Sequence, residues 1–246
     1  MNGQQPIPVT APIASAQPPS KPAPSLDFVI HIIESPSSDD FLDNRQEGPI
    51  LLDALSLGAV EVHYYAVIDR AALKKSFERI KGRHSPMAPV RCFPIVHISA
   101  HGNSDGIRLT GEREMLKWKE LGDLLADLNG SVNGVLLVCM STCLGFNGFR
   151  MAYRTSPVPF YALVGPTISP TWPEALVAYQ TFYHLVACKK FDLSPSVEAM
   201  NTAAGRAARS FLIVCGEDKQ KEFQQLIAGI SKILAREDQA ETGATA

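Results

Sequence analysis

Two side chains in this 246-residue chain stand where nucleophilic chemistry could be done. His101 follows the apolar run 93–100 (FPIVHISA) and precedes Gly102, while Cys143 follows the apolar run 135–140 (VLLVCM), two residues before Gly145. A cysteine becomes an effective nucleophile near neutral pH when a base takes its proton, and histidine is the side chain best matched to that task. Neighbouring parallel strands lie about 5 Å apart, so residues leaving adjacent strands can meet. A helix beginning just after Cys143 would turn its positive end toward the sulfur and favour the thiolate. Gly102 lets the backbone approach a substrate carbonyl, which makes the N–H groups of Gly102 and Cys143 candidates for an oxyanion hole.

The same runs hold His97 with His101 and Cys139 with Cys143, two pairs of zinc-type ligands. Four residues of extended strand cover about 13 Å, whereas the ligands of one zinc lie within about 4 Å of each other. The zinc reading would need both strands to break into a tight turn. His97 and Cys139 are therefore expected in the core below the site, with no metal or other cofactor. Cys92, Cys188 and Cys215 are expected to pack, His31, His63 and His184 to be structural, and His84 to be solvated in its loop.

The elements that must position the pair follow from the alternation of apolar runs and helical spacing. Strands are expected at 28–33, 60–68, 93–100, 135–140, 160–164 and 211–215, with a small hairpin at 106–110. Helices are expected at 50–57, 70–81, 118–128, near 145–153, at 174–187, near 196–208 and at 220–236. The last of these carries an apolar stripe through Phe223, Leu226, Ile227, Ile230, Ile233 and Leu234, expected to dock on its own domain. Strands alternating with helices imply a mainly parallel sheet of about six strands with helices on both faces, and such a sheet binds ligands at the carboxyl ends of its strands.

The sequence divides into a Pro/Ala/Ser-rich leader at 1–25, one α/β domain at 26–238 and a flexible tail at 239–246. A formal charge of −2 with no basic stripe argues against nucleic acid as a partner. No apolar run is long enough to span a bilayer, and five cysteines, most of them inside apolar runs, fit reduced thiols, so a cytoplasmic location is expected.

A strand ending in His-Gly, a helix-bearing connection and a strand ending in Cys-x-Gly resemble the caspase-like (clan CD) cysteine peptidases. HISAHGNSDGIRLTG, WKELGDLLADLNGSVNGVLLVCMSTCLG and PFYALVGPTISPTWPEALVAYQTFYHLV are similar to the corresponding segments of the CHAT branch, over roughly residues 93–205. The resemblance implies a caspase-like fold, with His101 as general base and acid and Cys143 as the nucleophile of an endopeptidase acting on a protein substrate. The caspase signature Gln-Ala-Cys-x-Gly is absent, Ser141 and Thr142 preceding the cysteine, and no helical repeats accompany the domain. The sensor usual in that branch would then reside in a regulatory partner. Candidates for the substrate pocket are Glu34, Asp39 and Asp40 after the first strand, Asp105 after the histidine, and the loop from Thr167 to Glu174 with Trp172. Two rivals stand beside this reading. One is a catalytically idle binding or scaffold module; the other is a nucleotide enzyme, for which no G-x-G-x-x-G follows the first strand.

Overall fold

The computed structural model describes residues 28–58, 60–84, 92–154, 157–188 and 192–243, with side chains described as far as residue 229. The expected leader at 1–25 and residues 244–246 of the expected tail lie outside the described residues.

Each expected strand forms, and every one is anchored by an apolar run. The order is β1 (Phe28–Ser35), β2 (Glu61–Ala66), β3 (Phe93–Asn103), β4 (Gly106–Arg108), β5 (Leu116–Lys117), β6 (Leu137–Ser141), β7 (Ala162–Pro166) and β8 (Phe211–Cys215). The helices are α1 (Ser38–Leu42), α2 (Glu47–Ser56), α3 (Arg70–Arg83), α4 (Trp118–Ser131), α5 (Trp172–Cys188), α6 (Leu193–Ala203) and α7 (Gly216–Gly243), and Gly145–Ala152 forms a 3₁₀ helix. The sheet order is β2-β1-β3-β6-β7-β8, parallel throughout except that β8 runs antiparallel to β7. This mainly parallel α/β arrangement is consistent with a caspase-like fold.

Two apolar layers cover the sheet. Leu73, Phe77 and Ile80 of α3 and Leu121, Leu125 and Leu128 of α4 close one face over Val96, Ile98, Val138 and Met140. Leu51 and Leu55 of α2 and Tyr179, Phe182 and Tyr183 of α5 close the other over Ile30, Ile32, Ile95 and Leu137. Full burial of such a side chain stabilises the fold by about 1.5–3 kcal/mol. A one-residue slip in β3 or β6 would turn these residues to the wrong face, so the register of the two central strands is firmly set. The chain moves from β1 outward to β2 and then returns to β3 on the other side of β1. The order therefore reverses between β1 and β3, the place where sheets of this kind open a crevice at their carboxyl ends.

Several elements differ from the sequence reading, α6 for example ending at Ala203 rather than near 208. Strand β3 continues to Asn103 rather than stopping at Ala100, because β4 pairs with its tail and opposes Arg108 to His101. The polar segment after β1 contains the short helix α1, nucleated by Ser37 at its N-cap. The segment after Cys143 is a 3₁₀ helix rather than an α-helix. Helix α7 starts at Gly216 and runs to Gly243, into the expected tail. Its Phe223 stacks on Tyr153 with ring centroids 5.5 Å apart, while Leu226 and Ile227 are exposed.

Several single residues also differ. Cys188 is exposed, and Cys92 and Cys215 are half-buried; of the five cysteines only Cys139 is fully buried. His84, expected in solvent, sits with its Nε2 2.8 Å from His31 Nε2, and His63 stacks on His31.

Candidate functional site

Three strand exits converge. The chain leaving β1 forms α1 with Asp40, β3 carries His101 beyond the end of its parallel pairing, and β6 ends two residues before Cys143. His101 and Cys143 line one cavity of about 420 Å³, together with Arg45, Thr142, Trp172 and the prolines at 170 and 173. Cys143 is half-buried, and the His101 side chain is 47% exposed. No hydrogen bond joins Cys143 Sγ to the imidazole among the described residues. Such contacts are often loose in free enzymes and tighten around the substrate.

The imidazole is held from behind. His101 Nε2 lies 2.6 Å from Asp40 Oδ2. A carboxylate only accepts, so Nε2 carries a proton, and in the neutral ring this leaves Nδ1 as the nitrogen with the lone pair that a base requires. Asp40 is itself fixed by a reciprocal cap. Its N–H donates to Ser37 Oγ at 3.1 Å, and the Ser37 hydroxyl and N–H donate back to Asp40 Oδ2 at 2.5 and 3.3 Å. Burial pushes the Asp40 carboxyl upward, but the hydrogen bonds from Ser37 and His101 outweigh it and hold the group below its usual value. Arg45 adds an ion pair, with Nε 3.4 Å from Asp40 Oδ1 and its guanidinium 2.6 Å from Asp43.

The backbone around the thiol is unusual. Leu144, directly after Cys143, has φ of 55°, in the left-handed region. For a leucine this costs about 1–2 kcal/mol and must be imposed by its surroundings. Here Leu144 N–H donates to Ile168 C=O, and Gly145 N–H to Thr142 C=O. No hydrogen-bond acceptor takes the N–H of Cys143 among the described residues. Gly102 lies so close that a Cβ there would meet Thr142 Oγ1 at 2.8 Å and Cys143 C=O at 3.2 Å. A side chain at 102 would therefore force a shift in the segment that carries Thr142 and Cys143 or in the exit of β3.

Of the expected pocket residues, Trp172 lines the cavity and meets the His101 ring edge-on, with centroids 6.0 Å apart. Pro170, Thr171 and Pro173 of the same loop line it too, whereas the remaining candidates do not. Asp105 is exposed at the β3–β4 turn and pairs with Lys117 at 3.5 Å. Thr167 Oγ1 donates to Arg209 C=O at 2.9 Å, and Asp39 is exposed on α1. Glu34 is fully buried, accepting N–H groups from Glu47 and Gly48. Asp40 faces His101 rather than forming a substrate wall. His97 and Cys139 lie paired and fully buried below the site, as expected. The sequence reading missed Arg45 and the orienting role of Asp40. The second had a visible signal, the spacing Ser37-x-x-Asp40 of a reciprocal helix cap.

No protein-family model matches this chain, and no curated protein matches it. Among the described residues no helix is long and apolar enough to cross a membrane.

Proposed function

We propose that this chain is a thiol-dependent endopeptidase of the caspase-like, CHAT-related type, with Cys143 as nucleophile and His101 as general base and acid. The observation that carries this reading is that His101, its imidazole held through Nε2 by Asp40, lines the same cavity as Cys143.

His101 Nδ1 takes the Cys143 thiol proton, and the thiolate attacks the carbonyl carbon of a bound peptide bond. The N–H groups of Gly102 and Cys143 receive the oxyanion of the tetrahedral intermediate. As the intermediate collapses, the carbon–nitrogen bond breaks and Nδ1–H returns its proton to the leaving amine. Water then gives a proton to Nδ1 and attacks the thioester, releasing the carboxylic acid and the thiol. All these groups belong to the chain itself. Protein substrates are the natural class, and control falls to a protein partner that carries the sensor. A stably inhibited state formed with no other protein present would contradict that control.

The rival, an idle binding module, draws on the missing Sγ–imidazole hydrogen bond. A peptide library incubated with wild type and Cys143→Ala decides between them. New termini produced by wild type alone support the peptidase. Absence of cleavage with and without added cell extract, together with an unaltered cellular role of Cys143→Ala, would replace it with the binding module.

A further inference from the structure

Three neighbouring strands carry a polar residue at one register level. Glu34 of β1 pairs with Ser99 of β3, and Ser99 pairs with Ser141 of β6. All three are buried, although each ends an otherwise apolar stretch. Strand alternation puts them on the face covered by α2 and α5, the face on which His97 and Cys139 also lie.

One carboxylate binds this row together. Glu47, the first residue of α2, is 2% exposed. Its Oε2 accepts from Ser99 Oγ at 2.7 Å and its Oε1 from Ser141 Oγ at 3.0 Å. His97 Nε2 stands 3.5 Å from Oε2. The backbone N–H groups of Glu47 and Gly48 donate to Glu34 Oε1 at 2.6 and 3.1 Å, and Tyr64 Oη donates to Glu34 Oε2 at 2.8 Å. Glu47 is thus tied to β3 and β6 through its side chain and to β1 through its backbone.

Ser99 stands two residues before His101, and Ser141 two residues before Cys143. A clamp on the two serines therefore acts one pleat below the two reacting side chains. A buried carboxylate is expensive to remove from water, and well-packed apolar residues stabilise a core at least as well. Stability alone does not call for a carboxylate here. We propose that Glu47 is a positioning residue for the His101/Cys143 pair, a buried clamp that sets the spacing of the β3 and β6 exits. This rests on the peptidase reading of the site.

The test is the alkylation rate of each cysteine by iodoacetamide, followed by mass spectrometry on the full chain. It compares wild type, Glu47→Gln, Ser99→Ala, Ser141→Ala and His101→Ala, with Glu47→Gln also made in the His101→Ala background. Glutamine keeps the shape but turns an N–H toward one hydroxyl. An ångström's misplacement costs on the order of a hundredfold, so Cys143 is expected to slow roughly tenfold or more in Glu47→Gln and less in each serine variant. Exposed Cys188 keeps its rate, buried Cys139 stays protected, and Glu47→Gln has no further effect once His101 is alanine. A merely structural role would instead leave Cys143 unchanged or expose Cys139, and either result overturns the proposal. If Glu47→Gln fails to fold, the two serine variants decide by the same criteria. Wild-type Cys143 reacting no faster than Cys188, and indifferent to His101→Ala, would instead mark the peptidase reading as the part that fails and take the clamp with it.

Discussion

Asp40→Asn is the substitution that separates an orienting carboxylate from a helix cap. In wild type one oxygen, Oδ2, receives His101 Nε2 and both Ser37 donors, while Oδ1 faces only the half-exposed Arg45. Asparagine can keep its oxygen in the crowded position and turn its amide toward Arg45, which is free to swing away, so the fold is retained. What is lost is the negative charge behind the imidazole. When His101 takes the thiol proton, two opposite charges about 4 Å apart attract by about 4 kcal/mol at an effective dielectric constant near 20. With the His101 side chain 47% exposed, solvent screening reduces this to about 2 kcal/mol. At about 1.4 kcal/mol per decade, the alkylation of Cys143 near neutral pH slows roughly 30-fold. The assay is the iodoacetamide rate at Cys143 by mass spectrometry, with urea unfolding as the control for folding. Cys143 reacting in Asp40→Asn at the wild-type rate, while His101→Ala slows it, would refute the reasoning and leave Asp40 as a cap alone.

Two further predictions concern buried titratable groups. Burial first, and then His84, His63 and Arg83, lower the pKa of His31 to about 2. The unfolded chain binds a proton there below its ordinary value near 6.5 while the folded chain does not, so stability is present above that value and is lost as pH falls. From about pH 7.5 to about pH 5 the loss is about 2 kcal/mol, and His31→Leu should remove that much of the slope in urea unfolding; an unchanged slope would contradict it. Glu34 is the opposite case. Burial raises its pKa, and the N–H groups of Gly48 and Glu47 and the Tyr64 hydroxyl counter this only in part. The folded state holds the proton more tightly, so stability falls as pH rises from the unfolded carboxylate range through the raised value. Glu34→Gln should therefore gain on wild type between about pH 4.5 and about pH 7 in the same assay, and a relative loss would reverse the assignment.

Most of the sheet was legible because its strands are continuous apolar runs, and a run such as FPIVHISA admits few other readings. The two strand exits were legible for the same reason: a reactive residue just after such a run must emerge at the sheet's carboxyl edge. What stayed hidden depended on contacts distant in sequence. The extension of β3 past Ala100 needs β4 as a partner, and the reversal of β8 has no local signature. His84 looked like a loop residue because nothing in RHSP reveals that His31, 53 residues earlier, stands 2.8 Å away. Nothing in the local sequence QEGP marks Glu47 as a buried residue. Its burial is decided by Ser99 and Ser141, 52 and 94 residues later. Asp39 and Asp40 are adjacent acidic residues at the start of α1, and the reciprocal Ser37 cap distinguishes the buried one from the exposed one.

The central claim is an activated thiol at Cys143 that depends on His101. A peptide-mimetic electrophile, mapped by mass spectrometry on wild type, Cys143→Ser and His101→Ala, tests it most directly. The account predicts an adduct at Cys143 in wild type, lost in Cys143→Ser and much slower in His101→Ala. Labelling spread over several cysteines, or unaffected by His101→Ala, would contradict it.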